Sequence, residues 1–571
     1  MRMRKNKVAL YLFNAAALAG FVCLLVYSLI NRKNVKDLFY WTSYYFIFLL
    51  MIVWAVQTVL FLKGVQFSLK LLLKKYWPGI LLALVLTVMV FASVHVRFKT
   101  LSDETNLLAI SRAMTNDKAC FNATMGKYYY GNLNDINYEV PKRPLVFPFM
   151  VSLLHTVSGF RYQNAFAFNF IVMLLLLAGV YIGTRKLIDA PSAVAAMFFV
   201  LSYPVFTIFG TSGGFDLFNA AVFLMILAAT CHFIKEPSAE AFSFIFASLL
   251  VFANIRYESI AFLVILPVLV FKKIRWQELK DYSYVFFIAP LVCLPYIWQR
   301  MLKGADIEKP ADVSAFSIGA LFENATKFLV SMADLKYFLP YAGLLSAVSI
   351  LIFIYLIVEV ARGRIWLERQ RRYSAVVVTL LVLSSTLIYF SYFFGDCTHP
   401  STARFFIILS IVLALGPVVL KALKPNCISG TGLLLISIAC FLFYHPIAVE
   451  GRFINTLRGN RITEQSIAFV SGINDKNILT ISERPGQFTA LGYGAINFSH
   501  ANQNKDKILR EISRHLFSRV FVFQEIAYDS RQPTKDTALA AEYKLTNLYE
   551  IQISATEFFR ISEVKLTGPS D

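Results

Sequence analysis

Charge is what this chain has least of. Only 16% of its 571 residues are Asp, Glu, Lys or Arg, against about 25% in an ordinary soluble domain. That shortage excludes a chain that is soluble throughout. Cysteine is also scarce, at seven residues. Four of them, Cys23, Cys231, Cys293 and Cys440, fall inside apolar blocks, so a disulfide scaffold is excluded. There is no Cys/His cluster with zinc spacing, no P-loop, no dinucleotide-type glycine motif and no arguable Ser-His-Asp set. Nucleotide-driven chemistry and structural zinc drop out with them. Internal repeats and low-complexity tracts are absent as well.

Apolar residues are abundant, at 57%, and they come in blocks. Each block is about 18–25 residues long, the length a helix needs to cross a bilayer while satisfying its own backbone hydrogen bonds. About thirteen spans are expected, near 8–30, 38–62, 78–96, 165–186, 191–210, 216–234, 241–255, 257–272, 283–299, 338–361, 374–394, 404–422 and 431–449. The pair at 241–272 is joined by almost no loop. The first block, Val8 to Ile30, is longer than the core of a signal peptide and is soon followed by another.

The net charge of +20 sits mostly in short loops between these blocks. It therefore reads as a topology signal rather than a nucleic-acid footprint, and no nucleic-acid partner is expected. The basic clusters are Arg2, Arg4, Lys5 and Lys7; Lys70, Lys74 and Lys75; Arg185 and Lys186; Lys272, Lys273 and Arg275; and Arg362, Arg364, Arg369, Arg371 and Arg372. With the N-terminus in the cytoplasm, the thirteen-span count puts all of them inside; Arg32, Lys33 and Lys36 are the exception. Segments 97–164, 300–337 and everything after about 450 then face outward. Within the first, Leu145 to Val157 is apolar but too short to span, and is expected to lie in the interface. The C-terminal segment reads as a small α/β domain, with strands at 477–481 and 519–523 and an amphipathic helix at 506–516. The expected division is 1–77, an N-terminal helix pair; 78–450, a membrane body with the large loop 97–164; and 451–571, a soluble domain.

Several polar residues at the outer face could carry chemistry. Asp103 and Glu104 are adjacent, shortly after the third span. One could serve as a general base toward a hydroxyl; the plain alternative is a helix start capped by Ser102, with acids in its first turn. Asp216 ends the loop Thr211-Ser212-Gly213-Gly214-Phe215-Asp216 and could equally be an N-cap. Arg256-Tyr257-Glu258 interrupts a long apolar run, where charge is costly unless paired or functional. A planar guanidinium there suits a phosphate, and an internal Arg256–Glu258 contact is the alternative. His399 and Arg404 open the twelfth span; snorkelling is the alternative for Arg404. Cys120 and Cys397 are the cysteines of outer segments and could form a bridge in an oxidising compartment. Two glycosylation triplets begin at Asn122 and Asn324.

A span followed by Asp103-Glu104, then Lys142-Arg143-Pro144-Leu145-Val146-Phe147-Pro148 and a short helix ending near Gly159, resembles the GT-C superfamily of membrane glycosyltransferases. Protein O-mannosyltransferases and lipid A aminoarabinose transferases are the nearest families. The resemblance covers about residues 78–450. It implies a polytopic α-helical, GT-C-like membrane body carrying the small C-terminal α/β domain. It also implies transfer of a sugar from a polyprenyl-phosphate donor to a hydroxyl on a lipid, glycan or protein, with inversion. Asp103 takes the place of the family's base and Glu104 that of its variable second acid. Arg256 and Arg404, with Lys142 or Arg143, take the donor phosphate, and Asp216, Tyr257, Glu258 and His399 line the substrate. No cofactor is expected; a divalent ion on Asp103 and Asp216 is the disfavoured alternative. The partners are the lipid-linked sugar, its acceptor and the bilayer, and the expected location is a bacterial inner membrane with the C-terminal domain periplasmic. The rival readings are a secondary transporter or lipid flippase, and a non-catalytic assembly protein.

Overall fold

The computed structural model describes residues 2–266, 279–302, 314–333, 342–365, 369–399, 401–451, 458–473 and 475–565. The cluster Lys272, Lys273 and Arg275, the second half of the expected span at 257–272 and the start of that at 338–361 lie outside the described residues. So do the side chains of residues 1–7, Ser102, Arg369, Arg371 and Arg372. The chain divides into two compact units. A membrane unit comprises Met1–Val96, Pro144–Phe147 and Phe166–Phe453; a sheet unit comprises Arg97–Arg143, Pro148–Ala165 and Ile454–Asp571.

Among the described residues, nine helices of the membrane unit are long and apolar enough to cross a bilayer. They are Val8–Ile30, Arg32–Gly64, Leu69–Ser93, Gln163–Leu187, Asp216–Lys235, Lys280–Leu302, Gly343–Ala361, Ala403–Leu423 and Gly430–Glu450. Thirteen is not reached among the described residues, and at several blocks the local structure differs from a single straight span. The span at 191–210 is two helices, Ala190–Leu201 and Pro204–Gly210, bent by 70° where Pro204 cannot donate an amide to the ladder. The block at 241–255 is a helix of 15 residues, Ala239–Ala253. Tyr257–Val264 winds as a 3-10 helix. The block at 374–394 is matched by the helix Arg369–Ser391, whose apolar stretch among the described residues is Ala375–Ser391.

Some polar side chains inside this unit find partners on other helices. Trp298 Nε1 donates to Ser28 Oγ at 2.6 Å, Trp54 Nε1 to Ser248 Oγ at 3.0 Å and Ser346 Oγ to Tyr203 OH at 2.9 Å. An apolar medium offers no water to replace such bonds, so they help set which helices face each other. Gly79 permits a close approach, since a Cβ there would stand 2.0 Å from the Tyr181 ring. Large apolar residues such as Leu12, Ile30, Leu175 and Leu351 are exposed on these helices. That is a penalty in water and none in lipid, and the chain is an integral membrane protein.

The sheet unit holds seven strands: β1 Asn122–Tyr129, β2 Asn132–Glu139, β3 Ile478–Ser482, β4 Gly494–Ile496, β5 Arg519–Ala527, β6 Leu545–Ser554 and β7 Glu557–Val564. Their order is β2-β1-β4-β3-β5-β7-β6. The centre is parallel, with β3 between β4 and β5, and all five β3 residues are buried, as a strand covered on both faces requires. The helix Lys505–Ser513 packs Ile508 and Ile512 into the core beside Leu479, Ile481 and Val522. These elements match the expected strands at 477–481 and 519–523 and the expected helix at 506–516.

One finding departs from the expected division of the chain. The hairpin β1–β2 comes from loop 97–164, yet β1 pairs with β4 through Gly126 and Ala495. The first loop and the C-terminal segment therefore build one sheet. A buried ion pair, Lys127 Nζ to Glu511 Oε2 at 2.8 Å, joins them again. The hairpin turns on Tyr130 and Gly131, both at positive φ (52° and 79°), the geometry of the tight turn that matches strand twist.

Candidate active site

In the membrane unit, three residues far apart in sequence meet. Asp216 opens the helix Asp216–Lys235, Arg256 follows the helix Ala239–Ala253, and Arg404 starts the helical run Ala403–Leu423. Arg256 Nη1 lies 2.6 Å from Asp216 Oδ1 and Arg404 Nη1 lies 3.5 Å from Oδ2. Their side chains are 1% (Asp216), 3% (Arg256) and 4% (Arg404) exposed. Asp216 is thus the first residue of its helix, not the N-cap, which is Phe215. The contact puts the three helix ends at one level, so their shared side does not depend on how many spans are counted.

Aromatic rings make this burial tolerable. The Arg256 guanidinium stands 4.8 Å from the Phe405 ring centroid, 5.4 Å from Phe215 and 5.5 Å from Tyr389; Arg404 is 5.8 Å from Phe405. A ring face attracts a cation that has lost its water. Glu258 approaches Arg256 Nε at 3.6 Å from a more exposed position. Among the described residues, Arg256 Nε makes no hydrogen bond. Tyr257 stacks near Tyr296, ring centroids 5.2 Å apart, and lies under the Arg300 guanidinium at 4.8 Å. His399 is exposed, with Ser401 Oγ 2.7 Å from its Nδ1.

Sequence reasoning missed what holds the loop in front of Asp216. Asn169, fully buried in the helix Gln163–Leu187, donates through Nδ2 to the carbonyls of Ser212 (2.7 Å) and Gly214 (2.8 Å). Asn219, one turn after Asp216, accepts from Ser259 Oγ at 3.2 Å. The available signal was an asparagine inside an apolar block, where an unsatisfied amide is costly.

In the sheet unit, the helix Leu101–Asn116 carries Asp103 and Glu104 in its first turn. The two acids do different things. Glu104 Oε1 accepts the backbone amides of Lys99 (3.0 Å) and Thr100 (2.7 Å), satisfying donors at the helix start. Thr100, not Ser102, is the N-cap residue, and it makes no capping side-chain bond. Asp103 Oδ1 instead accepts from Arg143 Nε at 2.7 Å, and Arg143 Nη2 also bonds it. Asp103 is 8% exposed and Arg143 34%. Lys142 is exposed. Lys99 is buried beside these groups; desolvation, and then the Arg97 charge, pull its pKa down to about 7, against the pull of Glu104 and Glu464.

The sheet unit also assembles a set that resembles a hydrolase triad. His155 lies 3.1 Å from Ser111 Oγ and 2.8 Å from Asn164 Nδ2. Asn164 donates to Nδ1, so the ring proton sits on Nε2 and points at Ser111. Ser111 itself donates to Leu108 O at 2.7 Å. The ring therefore cannot accept the serine proton, and the set is structural. Burial lowers the His155 pKa to about 4. The two glycosylation triplets are likewise structural. Asn324 Nδ2 donates to the carbonyls of Phe390 and Tyr392, and Asn122, in β1, donates to Asn106. Among the described residues no disulfide forms; Cys120 and Cys397 are both buried thiols.

Residues 142–298 match the model of the dolichyl-phosphate-mannose-protein mannosyltransferase family. No curated protein sequence matches the chain. Among solved structures, ArnT from Cupriavidus metallidurans bound to undecaprenyl phosphate is 12% identical at a TM-score of 0.52, covering 86% of this chain and 99% of that one. The apo structure of the same protein matches over the same shares, also 12% identical, at 0.50. The resemblance to GT-C glycosyltransferases read from the sequence is borne out, and the chain has that fold.

Proposed function

We propose that the chain transfers a sugar from a polyprenyl-phosphate carrier to an acceptor hydroxyl at the extracytoplasmic face of the membrane. The observation that carries this reading is the buried pair Arg256 and Arg404, brought together on the carboxylate of Asp216. Two buried guanidinia that converge on one point, one of them also approached by Glu258 from a more exposed position, suit an anion such as phosphate, whose oxygens match a planar fork. The family match over 142–298 and a fold relative bound to undecaprenyl phosphate support a polyprenyl phosphate as that anion's carrier.

In this reading Asp103 takes the proton of the acceptor hydroxyl. The oxygen attacks the anomeric carbon from the side opposite the phosphate. The C–O bond to the phosphate breaks and its electron pair stays on the phosphate, where Arg256 and Arg404 stabilise the growing charge. The product is inverted. Arg143, which donates to Asp103 Oδ1, would fix the direction in which that carboxylate points. Lys142 gives an exposed charge for the approaching phosphate. Tyr257, Glu258 and His399 border the donor. The distribution of Lys and Arg among the short loops supports the outward placement.

The test compares glycans and lipid A of cells expressing wild type with those expressing Asp103→Asn at equal protein level. Loss of the modification is expected. An unchanged profile would remove the enzyme reading and leave the transport or assembly alternatives. A tag following residue 565 that is reached only from the cytoplasm would overturn the outward placement.

A further inference from the structure

The sheet unit contains a cavity of about 380 Å³ beside the helix Arg458–Ser471 and strand β6. It is lined by Arg97, Arg461, Glu464, Gln465, Ile551 and Ile553. Pockets for small ligands run from about 300 to 1,000 Å³, so the volume suits one or two sugar rings. The lining is not that of a gap in an apolar core. It sets two guanidinia, one carboxylate and one carboxamide against two branched aliphatic side chains.

The polar groups are held in place by their neighbours. Arg97 Nη1 lies 2.7 Å from Glu464 Oε2. Arg461 Nη1 donates to the Ile553 carbonyl at 3.1 Å, and Tyr549 OH donates to Gln465 Oε1 at 3.4 Å. A carboxylate and an amide side by side offer the acceptors and donors that vicinal hydroxyls need. Ile551 and Ile553 offer an apolar wall for the C–H face of a ring. Arg97 and Arg461 against Glu464 leave one positive charge in excess, and the fork of a guanidinium matches a phosphate or carboxylate.

We propose that this cavity binds an anionic saccharide, phosphorylated or uronic, and that it holds the acceptor. The second clause rests on the transfer reading above; the first does not.

The test uses the full-length protein in nanodiscs of zwitterionic lipid and saturation-transfer NMR titrations. Glucose 1-phosphate and glucuronate are the anionic probes; glucose and inorganic phosphate are the controls. The two anionic sugars are expected to bind about tenfold more tightly than either control, a difference of about 1.4 kcal/mol. Arg461→Gln should remove the preference over glucose, and Arg461→Lys should restore part of it. Arg461 is exposed on its helix, and an unchanged unfolding temperature verifies that each variant folds. Gln465→Leu should weaken glucose and both anionic sugars while sparing inorganic phosphate. Equal binding of glucose and glucose 1-phosphate, or an unchanged preference in Arg461→Gln, overturns the proposal. So does inorganic phosphate binding as tightly as glucose 1-phosphate. Binding is read without turnover, so the two readings fail separately. A chain that binds the probes and transfers nothing overturns the transfer reading and the acceptor clause that rests on it, and leaves the binding clause standing; one that transfers and ignores the probes overturns only this proposal.

Discussion

Asp216 and Asp103 are both buried acids paired to arginine, and their surroundings differ. Asp216 sits between two guanidinia that are almost wholly enclosed and faced by aromatic rings. Asp103 pairs with Arg143, a third of whose side chain is open to solvent. The first arrangement is a fixed charge frame, since moving any member strands a buried charge. The second can loosen, because Arg143 can exchange its partner for water. A frame suits a leaving group that must be held, and an adaptable pair suits a group that must take up a proton and give it away.

The largest expected effect breaks the comparison at its chemistry. Asp103→Asn should lower transfer by about 10²–10⁴-fold. Glu104→Gln keeps an acceptor for the amides of Lys99 and Thr100 and should retain most activity. Equal losses in the two variants, measured with a lipid-linked sugar donor, would erase the division of labour between these adjacent acids.

Stability sharpens the comparison next. Asp216→Asn leaves two guanidinia short of their carboxylate and should destabilise the membrane unit by about 3–5 kcal/mol. Arg143→Gln, at a side chain about a third of which is open to solvent, should stay within about 1 kcal/mol. Thermal unfolding in detergent compares the two directly, and similar costs would mean that both acids sit in rigid frames.

The pH dependence belongs to the sheet unit. Lys99 has a folded pKa of about 7 against an ordinary value near 10.5. Above pH 7 the unfolded chain binds the proton and the folded chain does not, so this residue makes stability rise with pH until about 10.5. The slope is up to about 1.4 kcal/mol per pH unit. Wild type should therefore gain stability between pH 7 and 9 relative to Lys99→Met, as read from paired melting curves. Parallel curves would remove the role given to its burial.

Lys142 should matter least. It is exposed, and Lys142→Ala should raise the KM for the donor about two- to threefold at low salt, with the difference gone near 0.5 M, where exposed charges are screened. A salt-independent loss would place Lys142 in direct contact with the donor.

Much of this molecule was legible because its signals are local. Apolar blocks marked the long helices, and short runs of β-branched and aromatic residues marked β3 and β5. Among the described residues nine spans rather than thirteen are found, and the difference lies where length and continuity decide. Pro204 breaks one block, and Ala239–Ala253 is followed by a 3-10 turn at Tyr257. The hairpin β1–β2 was not legible, because Asn132–Glu139 is polar and Asn-rich and owes its strand to its partner.

The sequence by itself determined a membrane body with sparse polar residues at its helix ends, an α/β tail and the set of candidate acids and arginines. Tertiary structure decided which of them meet. Asp216 and Arg404 are 188 residues apart and touch only because three helix ends converge. Glu104 and Asp103 are neighbours with the same chemistry, and only backbone geometry turns one toward amides and the other toward Arg143. Hydropathy is a property of each segment and survives in the string of letters. Charge pairing depends on separations of a few ångströms between distant segments, and folding alone sets those.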